Sequence, residues 1–324
     1  MKTRLISVIL AAILCLCAFA SCGPISTGGD EQNGTTQNGA SNGGDPAGNN
    51  DLQGNGGADT DKANDRYTKF DLRATYDASS ATTVSFTDSG AEIKGSGASA
   101  DGTTVSISKE GTYILSGSCS DGRVIVEVSD QEKVQLVFNG LKLASKTNAP
   151  VWIKSADKVS VTLADGTVST LEDTAEYADV NADGEPNACL FSKDDLTING
   201  TGTLNVKGNV NNGITSKDDL KIISGTINVE AKNHGIRGND SVTIRDGSIT
   251  IGCGNDGIKS SKEDKAGKGY IYIEGGTISI DAGDDCLQAP NDITITGGSV
   301  TVDAGGKPVN CDGTTNIANG ALKG

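Results

Sequence analysis

Two columns of oxygen- and nitrogen-bearing side chains recur through the second half of this 324-residue chain. Asn212, His234, Asp256 and Asp285 form one set, and Asn211, Asn233, Asn255 and Asp284 stand immediately before them. Carboxylates and amides are the donors a hard cation takes; calcium binds about six to eight oxygens at about 2.3–2.6 Å. If the repeats stack, Asn233, Asn255, Asp256, Asp284 and Asp285 are the expected metal ligands and Ca2+ the expected cofactor. Three carboxylates brought together would repel one another unless neutralised. Asn and Asp also favour turns by bonding nearby backbone, and that reading governs Asn211 and Asn212. Three positions beyond the inner set stand Thr215, Arg237, Lys259 and Gln288. Arg237 and Lys259, with Lys217, are the expected ligand contacts, because an Arg forks a sugar carboxylate while a bound cation bridges protein and sugar acids. Charge balance against the adjacent acids is the alternative role for these cations.

Positioning such columns requires a stack of repeats, and the apolar residues supply it. Ile214, Ile236, Ile258 and Leu287 are 22, 22 and 29 residues apart (236−214, 258−236, 287−258). The pairs Leu220/Ile222, Val242/Ile244, Ile271/Ile273 and Ile293/Ile295 keep these steps, as do Ile227/Val229, Ile249/Ile251, Ile278/Ile280 and Val300/Val302. Three short alternating strands per repeat, joined by Gly-rich corners, describe an all-β parallel β-helix, each repeat being one coil. Val134, Val159, Leu196 and Leu220 extend the pattern backwards, with an insertion expected around Leu171 to Pro186. About eight coils at about 4.8 Å each make a rod near ~40 Å long. Residues 101–324 are assigned to the solenoid and 66–100 to an N-terminal β cap, since an open coil end invites edge-to-edge association. The Asp179–Glu185 stretch opens like a calcium loop, but Leu190 stands where an EF-hand needs its Glu. A second acidic column, Asp194/Asp195, Asp218/Asp219, Asn239/Asp240 and Asn291/Asp292, is assigned to turn chemistry.

Composition narrows the partners. The formal net charge of −15 leaves no basic footprint for nucleic acid. Aromatics are 4% of residues and Trp152 is the one tryptophan, which argues against a broad stacking platform. His234 is the single histidine, so His-pair chemistry is excluded. Lys2, Arg4 and the apolar run to Ala20 form an expected signal peptide over residues 1–21, ending in Phe19-Ala20-Ser21-Cys22. This ending resembles a bacterial lipobox, making Cys22 the expected lipidation site, with the membrane a partner only through that lipid. Residues 22–65, rich in Gly, Asn and Asp, are expected to form a tether. The expected location is extracellular, at the cell surface, as a monomer. Cys189, Cys253 and Cys286 are expected as buried space-fillers.

Gly111–Gly117, Phe191–Ile198 and the repeated Asn/Asp-Gly-Ile corners resemble a family of clostridial surface carbohydrate-binding β-helix proteins, over residue 66 to the end. The resemblance implies a calcium-containing, right-handed parallel β-helix that binds cellulose-type or acidic, pectin-like polysaccharide. That family is similar in fold to the family 9 polysaccharide lyases, which use a calcium-bound Asp cluster and a lysine base. Through this resemblance Lys259, in Asp256-Gly257-Ile258-Lys259, stands where such a base would, but Arg237 replaces the Asp of the preceding coil. The expected function is therefore non-catalytic, calcium-assisted polysaccharide binding at the cell surface, with no catalytic residue. A calcium-dependent pectate lyase acting by β-elimination through Lys259, and a structural adhesin or spacer, are the alternatives.

Overall fold

The computed structural model describes residues 66–324 apart from Ala175 and Asp179. The expected signal peptide, lipidation site Cys22 and tether lie outside the described residues, as does Asp179 of the calcium-loop-like stretch. The described chain is a right-handed parallel β-helix whose three faces are visited in turn by each coil. One coil runs from Asn212–Ser216 through Asp219–Ile222 to Thr226–Ala231, and the next repeats it as Ile236–Gly238, Ser241–Ile244 and Ser248–Cys253. The anchors stack in the expected register: Ile214 pairs with Ile236, Ile236 with Ile258 and Ile258 with Leu287. The second and third apolar sets stack the same way on their own faces.

Alternation explains why the coil holds. On the third face the strand Thr277–Ala282 alternates exposed and buried residues, so Ile278 and Ile280 enter the core while Thr277 and Ser279 meet water. A fully buried Ile contributes about 1.5–3 kcal/mol, and here each lies on the Ile or Val of the next coil. The strand Gly111–Cys119 pairs with Lys133–Phe138 through its first half and with Lys142–Ser145 through its end, joining the second and third faces into a nineteen-stranded sheet. The first face is a separate ten-stranded sheet.

Three features differ from the sequence reading. Where an all-β stretch is expected, Lys69–Leu72 forms one helical turn, capped at Thr68 by a reciprocal bond with Asp71. This turn belongs to a strap laid over the outer side of the second face. Arg66 stacks on Tyr272 at one end, Asp71 meets Lys158 and Lys221, and the Arg73 carbonyl accepts from Asn199 and Gln135 at the other. The strap explains why Lys158–Leu163 is buried on both sides although its outer residues are polar. Second, the insertion starts later than Leu171: Val168–Asp173 is a strand with Leu171 in the core beside Leu143 and Val206, so the excursion begins only at Thr174. Third, Cys253 is half-buried, whereas Cys189 and Cys286 are fully enclosed.

Candidate functional site

The Asn/Asp corners lead into the first face. Each corner must turn sharply while keeping its backbone paired, and the glycine at its centre permits this. Gly213, Gly235 and Gly257 donate to the carbonyls of His234, Asp256 and Asp285 on the following coil. A Cβ on Gly235 would strike Ile251 and lie 2.7 Å from the Gly257 carbonyl. Close approach, not an unusual dihedral, demands glycine here.

The inner column then caps the stack. Asn212 Oδ1 accepts from the His234 amide, His234 Nδ1 from the Asp256 amide, Asp256 Oδ1 from the Asp285 amide and Asp285 Oδ1 from the Lys307 amide, at 3.2, 3.3, 3.2 and 2.8 Å. Each side chain thereby satisfies a backbone donor of its neighbour. His234 Nδ1 is also 3.3 Å from Asp256 Oδ2. One nitrogen cannot accept and donate together: without a hydrogen, Nδ1 accepts from the amide, and carrying one it donates to the carboxylate. The outer column is an amide ladder in which Asn255 Nδ2 donates to Asn233 Oδ1 and Asn233 Nδ2 to Asn211 Oδ1.

At its far end this corner brings together Asp256, Asp284 and Asp285, with carboxylate oxygens within 4.8 Å of one another. Asp256 and Asp285 are buried and Asp284 is exposed. Lys259 Nζ lies 2.8 Å from Asp256 Oδ2. Burial pushes the Asp256 carboxyl up, but a hydrogen bond from His234 when its Nδ1 carries the hydrogen, another from Lys259 and the lysine charge outweigh it, holding the group down at about 2. Asp285 Oδ2 accepts from Asn310 Nδ2 at 2.6 Å. Three carboxylates against one ammonium leave a net deficit of positive charge, and the donors are all hard oxygens. That set suits calcium, and the lysine ammonium is the cluster's resident counter-ion. Asn255 ends the amide ladder with its Nδ2 engaged and its Oδ1 available as a further oxygen donor, whereas Asn233 Oδ1 is taken by Asn255.

Arg237 and Lys259 are adjacent in register on the outer side of the first face, followed by Gln288 and Asn310. Thr215, one coil earlier, is buried and bonded to Asn212. Arg237 Nε donates to Ser261 Oγ at 3.0 Å, and burial lowers the guanidinium's pKa. Among the described residues no carboxylate pairs with it. Lys217 stands apart, at the next corner, where its Nζ lies 2.7 Å from Glu185 Oε1 and pins the insertion to the solenoid. Inside the insertion Asn181 Oδ1 accepts from the amides of Asp183 and Glu185, so the loop closes on its own hydrogen bonds.

The second acidic column is partly balanced. Lys158 meets Asp195 at 3.4 Å, and Lys268 meets Asp219 at 3.1 Å and Asp240 at 3.3 Å. Asp218 is exposed and lacks such a partner among the described residues; desolvation and the charges of Asp195, Asp240, Asp194 and Asp219 push its carboxyl up to about 6.

Asn310 and Lys307 escaped the sequence reading although a further 22-residue step from Gln288 and Asp285 reaches them (288+22, 285+22). Ser261 carries no periodic signal, because it lies where the step between anchors lengthens from 22 to 29 residues, between Ile258 and Leu287.

Comparison with known proteins agrees with this architecture. Residues 101–324 match the family described as carbohydrate-binding domain-containing protein. A carbohydrate-binding domain-containing protein of Acetivibrio thermocellus is 44% identical over 128 residues, 39% of this chain and 45% of the relative. The chain thus spans less than half the length of that relative. A solved structure described as a polysaccharide lyase-like protein from C. thermocellum, a gadolinium derivative, superposes with a TM-score of 0.73 at 41% identity, covering 75% of this chain and 98% of its own.

Proposed function

Because the chain belongs to the family of carbohydrate-binding domain-containing proteins, we propose that it holds plant cell-wall polysaccharide, pectin-like acidic glycan or cellulose, without cleaving it. Lipidation at Cys22 would fix it to the cell surface as a monomer, with residues 22–65 as the tether. The observation that carries the acidic-glycan reading is Arg237: a half-buried guanidinium with no carboxylate partner among the described residues, on an acidic protein, one coil from the Asp256–Asp284–Asp285 cluster. An Arg fork recognises a planar carboxylate. Asp256, Asp284 and Asp285 would hold calcium, which supplies a positive bridge to sugar acids when bound.

Lys259 supports binding over cleavage. A general base needs a free lone pair within reach of the substrate proton, and the Lys259 ammonium donates to Asp256 Oδ2 at 2.8 Å. Its place is that of a counter-ion and sugar contact. The test is retention of the protein by insoluble pectin and cellulose, with calcium or with chelator, alongside the release of unsaturated sugar from polygalacturonate. Retention without product supports the proposal. Product that vanishes in Lys259→Ala establishes a lyase instead, and no retention on either polymer in either condition leaves a structural spacer.

A further inference from the structure

Trp152, Phe191, Thr215 and Arg237 are consecutive in register on the outer side of the first face. Trp152 and Arg237 are half-buried, yet Phe191 and Thr215 between them are fully enclosed. An outward-facing residue loses all its exposure only where something crosses above it, and here the excursion between Asp173 and Ala188 does so. It leaves the entry edge of the face where the Thr174 and Ala178 amides donate to the Ser145 and Thr147 carbonyls. Tyr177 packs against the cluster of Ala149, Ala188 and Phe191, and its hydroxyl donates to Asp173 Oδ2 at 2.7 Å. Glu185, itself buried, meets Lys217 just past the exit edge at 2.7 Å. The excursion is thus a bar across the face, fastened at both edges.

On the far side of the bar the column is open. Arg237, Lys259, Gln288 and Asn310 all keep part of their surface in water. One flank is the corner that carries Asp256 and the exposed Asp284. The other is raised by Ser261 and Glu263, which with Lys259 and Gln288 line a shallow recess of about 120 Å³. Between these flanks an extended chain follows the axis of the solenoid. Three coil steps from Arg237 to Asn310 span about 14 Å, and one strand spacing is close to the length of one pyranose. In the other direction such a chain meets the bar one coil before Arg237. Resting on the polysaccharide-binding reading above, we infer that this groove is closed at Thr215 and recognises one terminus of an acidic glycan. The end sugar lies at Arg237, and the rest of the chain leaves past Asn310.

Calorimetry with the full chain in calcium tests this, using an oligogalacturonate as long as the groove in three forms. One is untagged, one carries a bulky group on its reducing end, and one carries that group on its non-reducing end. The untagged form and one tagged form are expected to bind alike. The other tag must enter the space of the bar, so it is expected to weaken binding about tenfold or more. Tyr177→Ala combined with Glu185→Ala unfastens the bar, and the excluded form is expected to recover its affinity. Equal binding of the two tagged forms by the wild type overturns terminus recognition and leaves the parent reading standing. Continued exclusion by a variant that still binds the untagged form overturns the bar as its cause. A variant that no longer folds loses the untagged form as well, and the two tags on the wild type then decide. Binding of no form by the wild type overturns the parent reading and the terminus with it.

Discussion

Asp71→Asn is expected to release the strap from the second face while leaving the solenoid intact. The Asp71 carboxylate is fully buried, 3.1 Å from both Lys158 Nζ and Lys221 Nζ, and accepts from Thr197 Oγ1 at 2.7 Å and the Thr68 amide at 2.8 Å. Burial pushes its pKa up, but the two lysines and these hydrogen bonds prevail and lower it from 3.8 to about 2. That drop corresponds to about 2.5 kcal/mol at neutral pH. Because the folded-state value is depressed, this stabilisation is present above 3.8 and is lost as pH falls through about 2. Breaking one side of a buried ion pair costs about 3–5 kcal/mol, reduced here because Lys158 keeps Asp195 at 3.4 Å. A net loss of about 3 kcal/mol follows, equivalent to roughly a hundredfold gain in opening. Hydrogen exchange at pH 7 reads it directly: amide protection in residues 66–75 should fall about a hundredfold, with the core strands Ser241–Ile244 and Tyr270–Ile273 unchanged. Unchanged protection in the strap, or an equal loss across all coils, would refute this reasoning.

Lys259→Met removes the ammonium from Asp256 Oδ2 and leaves three carboxylates unopposed, so calcium affinity by calorimetry should rise about tenfold while retention on polyuronate falls. Equal calcium affinity would mean that lysine and cation do not share that carboxylate. Gly257→Ala places a Cβ against Ile280 and 2.7 Å from the Cys286 carbonyl; a loss of about 1–3 kcal/mol in urea unfolding is expected, and a neutral result would remove close approach as the reason for glycine. Asp218 has a raised folded-state pKa, so its contribution is favourable below 3.8 and is lost as pH rises through about 6. Asp218→Asn should therefore stabilise the protein at pH 7.5, by only a few tenths of a kcal/mol because the side chain is exposed. The gain should disappear near pH 4 in paired urea titrations; a pH-independent gain would point to another cause.

Much of the fold was legible because a parallel stack turns equal sequence steps into equal heights. The 22-residue spacing of Ile214, Ile236 and Ile258 leaves a single register in which every Ile enters the core. The gathering of Asp256, Asp284 and Asp285 was legible for the same reason. The strap was not: Lys69–Leu72 has no partner in the repeat, and its position follows from Asp71 finding two lysines 87 and 150 residues away. Pairing of cations was equally hidden. Lys217 and Lys259 look alike in sequence, yet one reaches Glu185 in a non-repeating insertion while the other folds back three residues onto Asp256. Composition along the chain cannot rank such competing partners; only the positions of the corners do.

Affinity electrophoresis through a gel containing partly esterified pectin puts the binding reading to its most direct test. Migration of the protein is expected to be retarded with calcium, restored by chelator, and restored by Arg237→Ala or Asp284→Asn with calcium present. Equal mobility in gels with and without pectin, whatever the calcium, would contradict calcium-assisted recognition of acidic polysaccharide at this corner.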